Sequence, residues 1–129
     1  EGRGAQWYMN ERQIPPQTAT RFGWGAAPDT WDSLRKAMHE LGYRDQELFE
    51  AGLGRKGKSG GFYDTFRGRL MFPVIDVRGN VIGFSGRILG DGEPKYMNSP
   101  ETIVFSKSHN LFALNLAKKS KCGYIILAE

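Results

Sequence analysis

Arg67 and Arg69 stand two positions apart at the start of an apolar run, Leu70-Met-Phe-Pro-Val-Ile-Asp-Val77. In an extended chain, residues i and i+2 lie on one face. Two guanidiniums held side by side repel unless an anion sits between them, and arginine forks onto phosphate oxygens in a bidentate way. The pair therefore reads either as a phosphate clamp or as two partners for carboxylates such as Asp64 and Asp76. Surface ion pairs of the second kind are common and individually weak.

A second set of polar groups lies in Pro94-Lys-Tyr-Met-Asn-Ser-Pro-Glu-Thr102, which lacks apolar periodicity. Lys95 offers a point charge, Tyr96 a stacking face and Asn98 an amide that both donates and accepts. Such a set suits a nucleotide or a single strand, and it suits equally a capped turn with a buried tyrosine. Lys107 follows shortly after. Arg87 ends the glycine-bearing stretch Phe84-Ser-Gly-Arg87 and can face solvent or a ligand. His39 and His109 have no second ligand at metal spacing, and no complete catalytic constellation can be assembled.

These groups must be carried by an α+β fold, with helices first and a small, mostly antiparallel sheet after them. Residues 5–12 read as the end of a helix, and Pro15-Pro16 can open another through Arg21. Asp29 can cap a helix over 30–41, with Trp31, Leu34, Met38 and Leu41 on one face and Gly42 as the stop. Asp45 can cap a further helix with Leu48 and Phe49, stopped by Gly52. The basic stretch 54–61 reads as a solvated hairpin tip or linker.

Residues 70–77 and 81–89 flank Arg78-Gly-Asn80 as a β-hairpin, with Pro73 suited to an edge or a bulge. Lys95-Tyr-Met97 reads as extended. Ser99-Pro-Glu-Thr102 reads as a helix start, with Ser99 as cap and Pro100 in first position. A short helix over 113–121 and a buried strand over 123–129 close the chain. Both ends read as interior points of a longer polypeptide.

The chain has 129 residues, 40% of them hydrophobic, which fits one small domain with a real core. No apolar run approaches the roughly 20 residues of a membrane span. The single cysteine, Cys122, excludes an internal disulfide and a multi-cysteine zinc site. Residues 1–66 hold nine Lys/Arg against nine Asp/Glu, whereas 67–129 hold nine against five. The whole net charge of +4 therefore lies in the second half. That asymmetry fits either a polyanion partner there or a solvated basic face.

Several segments, in order, resemble the bacterial DnaG-type primases. They are Phe22-Gly-Trp-Gly-Ala-Ala-Pro28 with Trp31-Asp32, Ala51-Gly-Leu53, Tyr63-Asp-Thr-Phe-Arg-Gly-Arg-Leu-Met-Phe-Pro-Val74, Gly79-Asn-Val-Ile-Gly-Phe-Ser-Gly-Arg87, Pro94 to Thr102, Phe105-Ser-Lys107 and Leu111-Phe-Ala-Leu114. The resemblance implies the N-terminal subdomain of the RNA-polymerase core over residues 1–122. It also implies the first strand of a Toprim fold over 123–129. Arg67, Arg69, Lys95, Lys107 and, more loosely, Arg12 would line a groove for template DNA and the primer–template hybrid. Tyr96, Asn98 and Arg87 would be nucleotide-proximal.

Glu129 would be the first acid of a metal-holding Toprim set. The family's enzyme would use Mg²⁺ or Mn²⁺, NTPs, a single-stranded DNA template and an RNA primer–DNA hybrid in the bacterial cytoplasm. It would meet the replicative helicase through a region outside this chain, with zinc and membrane playing no part in this piece. One glutamate cannot hold Mg²⁺ against a triphosphate, because the ion needs several oxygen ligands. The fragment alone is therefore expected to be inactive. The rival expectations are a non-catalytic nucleic-acid-binding module and a part of another Toprim enzyme.

Overall fold

The computed structural model describes residues 2–128. Helix α1 (Arg3–Glu11) and helix α2 (Pro16–Phe22) come first, followed by strand β1 (Gly25–Ala27). Pro16 opens α2, and Gly23 closes it in the left-handed region at φ 68°. Helices α3 (Ser33–Glu40) and α4 (Asp45–Glu50) then lead into strands β2 (Gly54–Lys56) and β3 (Phe62–Asp64). These two strands pair antiparallel, so the basic stretch 54–61 is a hairpin with its tip at 57–61. Strands β4 (Arg69–Ile75), β5 (Val81–Ile88) and β6 (Tyr96–Asn98) join β1 in a four-stranded antiparallel sheet of order β1-β4-β5-β6. A short 3₁₀ turn at Lys107–His109 and helix α5 (Leu114–Ala117) complete the α+β fold.

The β4–β5 hairpin forms where its glycine turn predicts it. Asp76 accepts from the amides of Arg78 and Asn80, both at 2.9 Å, and from the Asn80 side chain at 3.1 Å. These bonds hold the Asp76 carboxyl below its ordinary range, the Asn80 amide contributing most. Pro73 sits in a central strand, but β1 ends its pairing opposite Met71. The missing N–H therefore opposes no β1 residue, and the register shifts just beyond it at Val74/Ile75.

The sheet packs on both faces. Leu70 is 1% exposed, and Phe66, Val74 and Phe105 are buried with it, while Ala5, Ala19 and Leu48 anchor α1, α2 and α4. Gly86 allows this packing. A Cβ there would meet Arg69 at 3.0 Å, Met71 at 3.1 Å and Phe66 at 3.2 Å.

Five expectations are corrected. The helix expected over 30–41 begins at Ser33 with Asp32, not Asp29, in the cap position. The carbonyls of Pro28 and Trp31 instead accept the amides of Gly68 and Asp64, so residues 28–31 serve the 64–68 segment. Of the apolar face expected for that helix, Leu34 and Met38 are half-buried, whereas Trp31 and Leu41, which flank α3, are 67% and 72% exposed. Similarly, Arg44 rather than Asp45 occupies the cap position of α4, and Asp45 is its first helical residue.

Ser99 caps no helix. Its amide donates to the Phe84 carbonyl at 2.7 Å and its hydroxyl accepts the Phe84 amide at 2.8 Å, so it extends the β5–β6 ladder. The strand expected over 123–129 is absent from residues 123–128, which are exposed and carry no ladder. A strand needs a neighbour for its backbone groups, and these residues have none here. Among the described residues, no helix is long and apolar enough to cross a membrane.

Candidate nucleic-acid interface

Side-chain alternation sorts the candidate residues between the two sheet faces. Leu70, Arg87 and Tyr96 are register partners, as are Phe72, Ser85 and Asn98. Cross-strand partners share a face, so Arg87, Tyr96 and Asn98 stand together on one side. Met71, Gly86 and Met97 form the row on the other side.

The first face is the floor of a cavity of about 440 Å³, where Phe72, Ser85, Tyr96 and Asn98 meet Phe105 and Lys107. Phe105 can close against the floor because Gly83 has no Cβ. A Cβ there would stand 3.1 Å from the Phe105 ring. Lys107 is exposed at its 3₁₀ turn, where its backbone amide donates to the Glu101 carboxylate at 2.9 Å.

At the other end of the same face, the Arg87 guanidinium lies 4.2 Å from the Tyr8 ring centre and 5.9 Å from that of Tyr96. The Arg12 guanidinium lies 5.6 Å from the centre of the same Tyr8 ring. Helix α1 thus brings Arg12 to Arg87 through one shared ring. Tyr8 was not among the residues singled out in the sequence, and the neighbouring pair Trp7-Tyr8 was its only signal. Arg87 also donates to the Ile88 carbonyl at 2.9 Å, and its buried Nε has no partner.

Arg67 and Arg69 do not form the side-by-side pair that their spacing suggests. Gly68 between them has φ +58°, so the chain is not extended there and i, i+2 alternation fails. Arg69 is 4% exposed. Its guanidinium donates to the carbonyls of Pro94 at 2.9 Å and Gly86 at 3.2 Å, with a longer contact to Lys95 at 3.5 Å. Burial, and next the charge of Arg67, push its pKa below the ordinary arginine value. Arg69 therefore ties β4 to the segment that delivers Lys95 and Tyr96. Lys95 itself is exposed.

Arg67 lies 4.3 Å from the Trp31 ring centre and 5.1 Å from that of Tyr63, and donates to the Asp64 carbonyl at 2.6 Å. Neither arginine takes a carboxylate partner among the described residues. Asp64, one of the two anticipated partners, gives its carboxylate to the amides of Leu34 at 2.8 Å and Arg35 at 3.0 Å. It is an anion at a helix N-terminus, supplied from a strand about thirty residues away.

Among the described residues, no group of three or more His, Cys, Asp or Glu could hold a metal ion. Glu129, the expected first acid of a metal set, lies outside the described residues. The donors among the described residues therefore do not fit a divalent cation.

Residues 1–118 match the profile of the DNA primase catalytic core, N-terminal domain. The chain is 48% identical over 124 residues to a DNA primase of Clostridium acetobutylicum, covering 95% of this chain and 20% of that protein. It is 42% identical over 115 residues to that of Escherichia coli, covering 89% and 20%. It thus spans about a fifth of the length of these curated relatives.

Among solved structures, it is similar to a DnaG primase catalytic domain bound to ssDNA, at TM-score 0.85 and 41% identity over 91% of this chain and 38% of that one. It is also similar to the E. coli primase catalytic core, at TM-score 0.83 and 42% identity over 89% and 38%. The chain belongs to the DNA primase catalytic core, N-terminal domain family.

Proposed function

We propose that this chain forms the template- and nucleotide-contacting part of a DNA primase, the RNA polymerase that makes primers for DNA replication. One observation carries the reading. A single sheet face holds Arg87, Tyr96 and Asn98 in register, with Lys107 across the cavity and Arg12 reached through Tyr8. Cations for phosphates and an aromatic face for a base are the two requirements of single-strand binding. Lys95 adds exposed charge next to Tyr96, and Arg69 acts as a positioning residue for Lys95 and Tyr96. The relative bound to ssDNA supports the choice of ligand. Family membership favours this reading over a stand-alone binding module or another Toprim enzyme.

The whole enzyme would join NTPs on a single-stranded DNA template into an RNA primer–DNA hybrid with Mg²⁺ or Mn²⁺, in the bacterial cytoplasm, and would meet the replicative helicase elsewhere. In this reading residues 1–122 are the N-terminal subdomain. Residues 123–129 begin the Toprim fold, with Glu129 as its first acid. The chain alone would bind a strand and catalyse nothing.

The test is anisotropy of a labelled single-stranded oligonucleotide with this chain across a salt series. Arg87→Ala, Lys95→Ala and Lys107→Ala should each weaken binding, and each should make the logarithmic salt slope shallower by roughly one. Affinity and slope unchanged in all three variants would overturn the proposal.

A further inference from the structure

Outside that sheet face, one exposed cluster is unexplained by it. Trp31 is 67% exposed, although Arg67 lies over its ring and Tyr63 meets it edge-on, with ring centres 5.6 Å apart and planes at 76°. A large apolar ring left this open, yet fixed from behind by a cation and a second ring, is pre-positioned rather than packed. Tyr63 belongs to β3 and pairs in register with Arg55 of β2, so Arg55 stands beside it on the same hairpin face. The tip adds Lys58, and Arg55, Lys56 and Lys58 are all exposed. None of these cations, nor Arg67, takes part in the four ion pairs found among the described residues. Asp64, three residues before Arg67, is buried and committed to the N-terminus of α3.

Unpaired positive charge alone would fit any polyanion. Unpaired charge around an open, braced indole fits a polyanion that also offers flat apolar faces. A duplex hides those faces in its stack, whereas a single strand presents them. We propose that Trp31, braced by Arg67 and Tyr63, is a stacking platform for one unpaired base of a single strand, whose flanking phosphates are met by Arg55 and Lys58. This platform is a second contact, separate from the sheet-face groove, and does not rest on that reading.

The experiment uses the whole chain with oligothymidylate and oligouridylate of about eight nucleotides, and with an abasic strand of equal length. Trp31→Ala should weaken binding of at least one base-bearing strand about ten- to a hundred-fold and leave the abasic strand unchanged, as expected when one stacked base is lost. The arm with the larger loss identifies DNA or RNA as the natural ligand. Trp31→Phe should recover part of the affinity.

In parallel, an iododeoxyuridine strand cross-linked by light to the unsubstituted chain should label peptides holding Trp31 or Tyr63, a readout that needs no variant to fold. Unchanged affinity of Trp31→Ala in both arms, or cross-links confined to residues 85–112, would overturn the platform. A loss in Trp31→Ala with no loss in Lys95→Ala, Lys107→Ala or Arg87→Ala would uphold the platform and remove the groove.

Discussion

Asp64 and Arg67 lie three residues apart yet do not meet charge to charge. Arg67 donates to the Asp64 backbone carbonyl at 2.6 Å, while the Asp64 carboxylate accepts the amides of Leu34 and Arg35. One residue thus serves two elements: its side chain starts α3 and its carbonyl steers the arginine that braces Trp31. Asp64→Ala should leave two amides of α3 without a partner beneath a residue only 3% exposed. It should cost about 2 kcal/mol, in the upper range for helix caps and unsatisfied buried donors. Urea unfolding measures the cost, and a loss below about 0.5 kcal/mol, the usual size of a surface change, would contradict the capping role.

Arg69 crosses β5 to reach the carbonyls of Gly86 and Pro94. Arg69→Ala should destabilise the fold by about 2–3 kcal/mol, as expected for charged hydrogen bonds lost inside a protein. Arg69→Lys should recover only part of this, because a point charge on a flexible stem cannot span two strands as a planar fork does. Both variants should also bind a single strand more weakly than wild type at a temperature where each is fully folded. Loosening Arg69 frees the segment that holds Lys95 and Tyr96. Full strand affinity in a folded Arg69→Ala would remove its positioning role.

Asp45 joins α3 to α4 by accepting from Arg35, with N–O distances of 2.6 and 2.9 Å. His39 Nε2 also lies 2.8 Å from its carboxylate. The Arg35 hydrogen bond, more than the His39 contact, lowers the Asp45 pKa. A carboxyl whose folded pKa is depressed stabilises the protein above its unfolded value, about 3.9 for aspartate. That contribution is lost as pH falls through the folded value. Unfolding midpoints followed from pH 6 down to pH 2 should therefore show a smaller decline below about pH 4 in Asp45→Asn than in the parent. Parallel curves would show that the bridge contributes nothing.

Much of the fold was legible because it is written in short-range signals. Pro16 opens α2, and Gly23, Gly42 and Gly52 end helices at positive φ. Asp76-Val-Arg-Gly-Asn80 closes the β4–β5 turn with its own side chains. What was misread depends on partners distant in sequence. Ser99 looked like a helix cap because its partner, Phe84, lies fifteen residues back. The start of α3 was misplaced because its capping carboxylate arrives from Asp64. The Arg67/Arg69 pair looked like one clamp because spacing cannot reveal that Gly68 turns between them at positive φ. Tyr96 and Asn98 were legible as candidates from their chemistry, but their alignment with Arg87 and Ser85 exists only once the strands pair.

That alignment has the character of a reading frame. Tyr96 and Asn98 face the cavity only because β6 pairs with β5 as Ser85↔Asn98, Gly86↔Met97 and Arg87↔Tyr96. A slip by one residue would exchange the two faces of β6 wholesale, turning Met97 into the cavity and its polar neighbours away. The connection between Ile88 and Tyr96 is therefore constrained in length as well as in composition. Inserting or deleting a single residue there would garble the surface while leaving every one of its side chains in the polypeptide, whereas many substitutions within it would be silent.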